Sequence, residues 1–172
     1  IPPDYIVAGT TKIDLRKDIE EELRKNKIKL KEIRFREIGF ALRDNLLSHP
    51  PNPNNLKLKV TKYRAGEGDE YFLEIVNSDD ILFGLLRLRL NKKGAMVREL
   101  HVYGQALKLG QQGKMGQHTG LGKWLLNEAE KITKKNKISE LKIISGVGVR
   151  DYYKKLGYVL EKGKGEYLVK EI

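Results

Sequence analysis

The chain has 172 residues, of which 40% are apolar and 33% charged, a composition typical of a folded domain rather than of a disordered segment. It contains no cysteine, which excludes disulfides, thiolate metal sites, a cysteine-held iron–sulfur cluster and a cysteine nucleophile within these residues. No apolar run approaches the length of a membrane span, and the formal net charge of +11 favours an anionic partner. A solvated basic face would explain that charge equally well.

The first part of the chain predicts a helix followed by a strand. Residues 11–27 predict the helix, because Leu15, Ile19 and Leu23 recur four positions apart on one face. Residues 31–39, KEIRFREIG, alternate apolar and charged side chains and so predict the strand. The chain begins without a methionine, and we therefore expect it to be a piece of a longer protein.

A proline-rich stretch predicts a domain boundary. Residues 48–55, SHPPNPNN, contain three of the five prolines and can form neither a helix nor an inner strand. Residues 1–49 are expected to form an N-terminal helix–strand segment, the tail of or interface to a preceding domain. Residues 50–172 are expected to form the main domain.

The main domain is predicted to be α/β, because strands are followed by alternating helices and strands. Alternating side chains predict the first four strands at residues 56–63, 70–76, 81–90 and 95–104. After a glycine-rich loop at residues 104–116, the prediction is helix, strand, helix and strand, at residues 120–136, 140–145, 149–158 and 165–172. In the first of these helices, one stripe should contain Leu121, Trp124, Leu125, Glu128 and Ile132.

The basic charge is concentrated beside a glycine motif. Residues 101–150 carry 9 basic and 3 acidic side chains, and the sequence GQHTGLGKW, residues 116–124, leads directly into the long predicted helix. The first turn of a helix has free backbone N–H groups and the positive end of the helix dipole, so it attracts anions. Glycine lets a bulky phosphate approach the main chain. The motif therefore predicts a phosphate site.

Two common phosphate loops do not fit this motif. A Walker loop needs Ser or Thr after GxxxxGK, whereas Trp124 follows Lys123. The dinucleotide pattern GxGxxG needs a third glycine where Leu125 stands. The pattern that remains is Q-x-x-G-x-G, formed by Gln117, Gly120 and Gly122.

This pattern resembles the loop with which the GNAT acyltransferase superfamily binds the pyrophosphate of acetyl-CoA. ELHVYG, residues 99–104, is similar to the splayed strand of that superfamily, and VRDYYKKLGY, residues 149–158, is similar to its late helix. The stretches LRLR, VRELHVYG, QHTGLG, NEAEKI, ISGVGVR and YYKKLGY, with REIG upstream, resemble more closely the family of the Elongator catalytic subunit, in an archaeal version.

The resemblance implies both a fold and an activity. The implied fold is the GNAT-type acyltransferase fold, an α/β (α+β) fold with a mixed, mostly antiparallel sheet flanked by helices. Members of the family use acetyl-CoA and modify the wobble uridine of certain tRNAs towards 5-carboxymethyluridine. They join this domain to a radical SAM domain that uses S-adenosylmethionine and a [4Fe–4S] cluster, and that half is missing here. The implied partners are tRNA and that radical SAM domain; no membrane partner is expected, and the expected location is cytoplasmic.

Three segments are implied to bind acetyl-CoA. Backbone amides of the loop would hold the pyrophosphate, and these belong to Gly116, Gln117, His118, Thr119, Gly120, Leu121 and Gly122. Main-chain groups of the splayed strand would meet the pantetheine arm, from Glu99, Leu100, His101 and Val102. Tyr152 and Tyr153 of the late helix complete the set, and no metal site is expected.

Three side chains are candidate catalytic groups. By resemblance Tyr153 is the general acid that protonates the departing CoA thiolate, and a phenol with a reference pKa near ~10 holds that proton at neutral pH. Tyr152 would pack on the cofactor, and for either tyrosine a place in the core is the alternative. Glu99 is either a base acting through water or part of an ordinary surface pair. His101, whose reference pKa is near ~6.5, is either a base or contributes its backbone alone.

Basic side chains supply the candidate tRNA contacts, because phosphate contacts dominate nucleic-acid affinity. These candidates are Lys108, Lys114, Arg34 and Arg36. A further lysine cluster ends the long helix, where it fits the helix dipole as well as RNA, at Lys131, Lys134, Lys135 and Lys137. Two other functions remain open: a protein lysine acetyltransferase on the same scaffold, and a non-catalytic module that binds CoA or RNA without turnover.

Overall fold

The computed structural model describes residues 14–26, 28, 30–43, 55–103, 120–161, 163 and 167–172. The chain divides into two compact units, Ile1–Phe35 and Arg36–Ile172. The proline-rich boundary predicted at residues 48–55 lies, except for its last residue, outside the described residues. The division into segments 1–49 and 50–172 therefore stays a prediction.

The first unit contains α1, Leu15–Lys25, which agrees with the first predicted helix. Asp14 begins the helix, because its carboxylate oxygen Oδ1 accepts a hydrogen bond of 3.3 Å from the Lys17 amide. Such an acceptor satisfies an amide that has no partner within the helix. On the predicted apolar face, Leu15 and Ile19 are exposed.

Residues 31–39 do not form the predicted strand. Most of them belong instead to two short helices, α2 at Ile33–Arg36 and α3 at Ile38–Arg43. Between the two helices, Glu37 forms an isolated β-bridge with Leu82. The strand prediction was wrong because the alternation is short and the next apolar residues follow a helical spacing. Ile38 and Ala41, three positions apart, are both buried in the core of the second unit. Their packing outweighs the local preference of a few residues.

The described part of the second unit contains seven strands in one sheet, in the order β1-β2-β3-β4-β5-β7-β6. Neighbouring strands are antiparallel except β4 and β5, which are parallel. The predicted mixed, mostly antiparallel sheet is confirmed, and β6 is the described strand that the sequence did not predict. The strands are β1 Lys57–Ala65, β2 Gly68–Val76, β3 Leu82–Asn91, β4 Gly94–Val102, β5 Glu140–Ile144, β6 Val159–Leu160 and β7 Tyr167–Glu171.

The long helix α4, Leu121–Lys135, lies between β4 and β5 in the chain, as a crossover between parallel strands requires. It packs against β2, β3, β4 and β5. Its buried face differs from the predicted stripe, because Trp124 is 36% exposed and Thr133 is fully buried. Thr133 can be buried because its hydroxyl donates to the Ala129 carbonyl at 2.8 Å. The buried residues are Leu121, Gly122, Leu125, Leu126, Ala129 and Thr133.

The last helix, α5, Arg150–Lys154, follows a single 3₁₀ turn and is closed as predicted by Gly157, whose φ is +88°. Next comes Tyr158, which is fully buried and donates its hydroxyl to Glu130 Oε1 of α4 at 2.9 Å. Lys170 of β7 bonds the same carboxylate at 2.8 and 3.0 Å. One carboxylate thus ties α4 to the C-terminal part of the sheet. Among the described helices, none is long and apolar enough to cross a membrane.

We expect Tyr158→Phe to lower the free energy of unfolding by about 1.5 kcal/mol at neutral pH, because a hydrogen bond to a charged group is lost. Burial, helped by the Glu130 charge, raises the pKa of Tyr158 above 10.0. The unfolded chain therefore loses this proton first, so the stability contributed by Tyr158 is present below about pH 10 and falls above it. Urea unfolding at several pH values measures both effects. Tyr63→Phe, at an exposed tyrosine, is the control, and equal behaviour of the two variants would contradict the prediction.

Candidate functional site

The parallel strands β4 and β5 separate before β4 ends. They pair over Ala95–Val97 and Leu141–Ile143, and β5 then stops at Ile144 while β4 continues to Val102. In the described structure, the last part of β4 therefore has no strand beside it on the β5 side. Backbone N–H and C=O groups need partners. Within the described residues, the edge predicted to meet an extended ligand thus has no strand partner on this side.

A β-bulge determines which way the side chains of this edge point. Leu88 pairs with Val97 and Arg87 pairs with Glu99, so Arg98 is an extra residue in β4. Because side chains alternate along a strand, one extra residue moves every later side chain to the other face. Leu100 and Val102 consequently pack against the apolar core on the α4 side. Glu99 and His101 lie on the opposite face.

Beyond the bulge, Glu99 lies between two basic side chains. Its Oε1 is 3.0 Å from His101 Nε2, and its Oε2 is 3.5 Å from Arg87 Nη2. The three side chains are all accessible to solvent. An accessible carboxylate in contact with an imidazole can accept a proton or pass one on. Glu99 and His101, which the sequence analysis gave as two separate candidate bases, are therefore in direct contact.

The start of α4 has the properties of an anion site. Gly120 precedes the helix, no side chain of the described residues caps it, and its first turn contains no acidic residue. The first intrahelical bond runs from the Trp124 amide to the Gly120 carbonyl at 2.7 Å, so earlier amides have no partner within the helix. These amides and the helix dipole favour a negative charge at this point.

The two glycines of the motif have different surroundings. A Cβ built on Gly120 has no described atom within 4 Å, and the φ of −100° suits any residue. A Cβ on Gly122 would lie 2.6 Å from the Tyr152 hydroxyl oxygen and 3.7 Å from Val102 Cγ2. The missing side chain at Gly122 therefore lets Tyr152 and the end of β4 approach α4. At Gly120 no described atom fills the place that a side chain would take.

The two adjacent tyrosines occupy different environments. Tyr152 is 39% exposed and its hydroxyl faces the first turn of α4, whereas Tyr153 is 7% exposed and packs in the core. The Tyr153 ring makes edge contacts with Tyr152 and Tyr158, with centroids 5.2 and 6.1 Å away. Burial raises the pKa of both phenols, and the neighbouring Tyr153 adds to the effect on Tyr152. Both hydroxyls therefore carry their protons at neutral pH.

Two polar groups at the site were not singled out from the sequence. Arg87 contacts Glu99 across the strands, which only the sheet register reveals. Ser145 directly follows β5, where the strands separate, and its buried hydroxyl has no hydrogen-bond partner among the described residues. The sequence stretch ISGVGVR contains this serine. A polar side chain directly after an apolar stretch was the single feature of the sequence that could have marked it as a site residue.

Of the predicted tRNA contacts, two arginines fall within the described residues. Arg34 and Arg36 lie on α2 rather than on a strand. The Arg36 guanidinium is mostly buried and bonds Glu74 at 2.7 Å and Asp80 at 3.0 Å, so its observed contacts are structural. Other predicted site residues lie outside the described residues, and these are Lys108, Lys114, Gly116, Gln117, His118 and Thr119. At the far end of α4, Lys134 and Lys135 stand in the last turn.

No family model matches the chain, but curated proteins and a solved structure do. It is 41% identical over 177 residues to a tRNA uridine(34) acetyltransferase of Dehalococcoides mccartyi, covering 95% of this chain and 37% of that protein. It is 37% identical over 184 residues to Elongator complex protein 3 of Schizosaccharomyces pombe, covering 99% of this chain and 32% of that protein. The solved Elp3 of Methanocaldococcus infernus with an N-terminal deletion superposes with a TM-score of 0.78 at 34% identity, over 100% of this chain and 42% of that chain.

The chain thus spans about a third of the length of the curated relatives it matches. The α/β fold with a mixed, mostly antiparallel sheet that the sequence predicted is confirmed. The chain belongs to the family of the tRNA uridine(34) acetyltransferases and Elongator complex protein 3.

Proposed function

We propose that this chain is the acetyl-CoA-dependent acetyltransferase part of an enzyme that modifies the wobble uridine of tRNA towards 5-carboxymethyluridine. Its relatives are named as tRNA uridine(34) acetyltransferases, which supports the substrate class. One observation carries the proposal. Among the described residues, a helix start without a side-chain cap, an edge of β4 without a neighbouring strand and the Glu99–His101 pair are adjacent in the fold.

The described residues fit acetyl-CoA on three grounds. The first turn of α4 offers a diphosphate amides that have no partner within the helix, and no described atom lies within 4 Å of a Cβ built on Gly120. The edge of β4 from Glu99 to Val102 offers main-chain groups to an amide-containing arm. The Ser145 hydroxyl, which has no hydrogen-bond partner among the described residues, adds a polar group where the strands separate. When bound, acetyl-CoA would supply an acetyl group already activated as a thioester.

The residues of this chain would then bind, orient and exchange protons. Glu99 and His101 would take up a proton from an acceptor on the face opposite α4, and Arg87 would keep Glu99 in place. Tyr153 would hold a proton at its phenolic oxygen for the leaving thiolate, as the family resemblance implies. Tyr152 would pack against the cofactor next to Gly122.

The rest of the reaction would require another domain. The chain has no cysteine to hold an iron–sulfur cluster, so a [4Fe–4S] cluster and S-adenosylmethionine would belong to a radical SAM domain elsewhere. The net charge of +11 supports tRNA as a partner, because basic side chains supply the phosphate contacts that dominate nucleic-acid affinity.

We expect Gly120→Asp to weaken CoA binding at least about tenfold without loss of stability. Aspartate is a favourable N-cap, so the helix should tolerate it, but its charge would repel a diphosphate at the same amides. Gly120→Ser is the matched control, because serine also caps but carries no charge. Fluorescence of Trp124, the single tryptophan, in the first turn of α4, reports binding. Equal CoA affinity of the two variants would contradict the anion site.

Gly122 is unsuitable for this test, because any side chain there meets Tyr152.

Tyr153→Phe and Tyr152→Phe should separate the roles of the two tyrosines. Loss of the Tyr153 proton donor should lower turnover of acetyl-CoA by about 10²–10⁴ while the affinity for CoA stays unchanged. Loss of the Tyr152 hydroxyl should weaken CoA binding more than it lowers the turnover of the saturated enzyme. Steady-state kinetics and a binding titration measure both quantities. The assignment is wrong if Tyr152→Phe is the variant that loses turnover at saturation.

We expect tRNA to stimulate release of free CoA from acetyl-CoA, and this stimulation to weaken as salt rises from about 50 to 200 mM, because counterions compete for the phosphates. A thiol assay with and without tRNA measures the release. A lysine peptide replaces tRNA in a parallel reaction. Stimulation by the peptide alone would identify a protein acetyltransferase, and CoA binding without release in either reaction would identify a non-catalytic module.

A further inference from the structure

A buried carboxylate on β2 bonds two arginines from two other strands. Glu70 is 1% exposed, and its Oε1 accepts bonds of 3.0 Å from both Arg89 Nη1 and Arg98 Nη1. Its Oε2 is buried without a hydrogen-bond partner in the described part of the chain. A buried carboxylate is expensive unless it is paired, so these two bonds are what allow Glu70 to be charged there.

The two arginines occupy different positions in the sheet. Arg89 stands directly across from Glu70 on β3, which is an ordinary cross-strand pair. Arg98 is the extra residue of the bulge in β4, two strands away from Glu70. The second ion pair therefore reaches over β3 and attaches the bulge to a buried point on β2. The Arg89 side chain is itself fixed, because it also donates to the Ala65 carbonyl at 3.3 Å.

The charges explain why this bulge is preferred over a regular ladder. If β4 continued in register after the Leu88–Val97 pair, Arg98 would stand directly across from Arg87, and like charges in that position destabilise a sheet. With the bulge, Arg87 meets Glu99 and Arg98 meets Glu70. The regular register would also turn Glu99 towards the apolar core.

We propose that Glu70 is a positioning residue for the site: through Arg98 it holds the bulge that directs Glu99 and His101 away from the core and towards the acceptor. Glu70 lies two strands from β4 and acts only through Arg98. The predicted effect of Glu70 on turnover rests on the proposed acetyltransferase function. The predicted effect of Glu70 on the conformation of β4 does not depend on that function.

Glu74 provides a matched control. It lies four residues from Glu70 on the same face of β2, is 3% exposed, and also has an arginine partner, Arg36 at 2.7 Å. Glu70→Gln and Glu74→Gln should therefore lower the melting temperature comparably. Glu70→Gln alone should lower the kcat of acetyl-CoA turnover by about tenfold to a hundredfold, because small misplacements of reacting groups have effects of this size. CoA affinity, which depends on α4, should not change.

A second measurement keeps the test separate from the enzyme assignment. Amide hydrogen exchange of residues 99–102 should accelerate at least about tenfold in Glu70→Gln and stay close to the wild-type rate in Glu74→Gln, since the local opening of β4 is easier without its anchor. If the wild-type chain shows no turnover, the proposed function fails, whereas the exchange result still decides the role of Glu70.

Arg98→Met covers the case in which Glu70→Gln does not fold. This variant should fold, because the Arg98 side chain is partly exposed and Glu70 still has its ion pair with Arg89. It should show the same faster exchange and the same loss of kcat, and Arg98→Lys should restore part of both. Equal exchange at residues 99–102 in Arg98→Met and the wild type would overturn the proposal. Faster exchange with an unchanged kcat would overturn the positioning role.

Discussion

The one-residue bulge at Arg98 is the constraint on which the site depends. Strand side chains alternate between faces, so a single extra residue decides that Leu100 and Val102 enter the core while Glu99 and His101 leave it. In the part of the chain that the structure describes, the same strand then has no neighbour on one side, because β5 ends where β4 continues. The polar pair and this edge without a described partner are thus close to one another.

The site has two sides because α4 covers one face of β4. The proposed cofactor contacts lie on the α4 side, where no described side chain caps the helix and Tyr152 lies against Gly122. The proposed acid–base pair, Glu99 and His101, lies on the other face. This arrangement suits a reaction in which an anionic carrier and its acceptor approach from different directions and meet at the edge of β4.

Several of the basic side chains form ion pairs inside the fold. Arg36, Arg89 and Arg98 all bond buried carboxylates of β2, and Lys170 bonds Glu130 below α4. These cations stabilise acids inside the sheet and are unavailable to RNA without loss of those bonds. A net charge therefore indicates a class of partner without indicating which residues bind it.

The sequence by itself determined the family, six of the seven described strands of the sheet and the start of α4. Alternation, helical spacing and the Q-x-x-G-x-G pattern are local signals, whereas the two-residue strand β6 is too short to give one. The strand predicted at residues 31–39 was wrong, because the packing of Ile38 and Ala41 in the core outweighs a short alternation of apolar and charged residues. The tertiary structure alone decided which polar side chains are neighbours: Glu99 contacts His101 and Arg87, and Glu70 contacts Arg98. It also decided that the two adjacent tyrosines, Tyr152 and Tyr153, differ in burial. These contacts join residues distant in the chain and depend on sheet register, which a one-residue bulge changes without any local sequence signal.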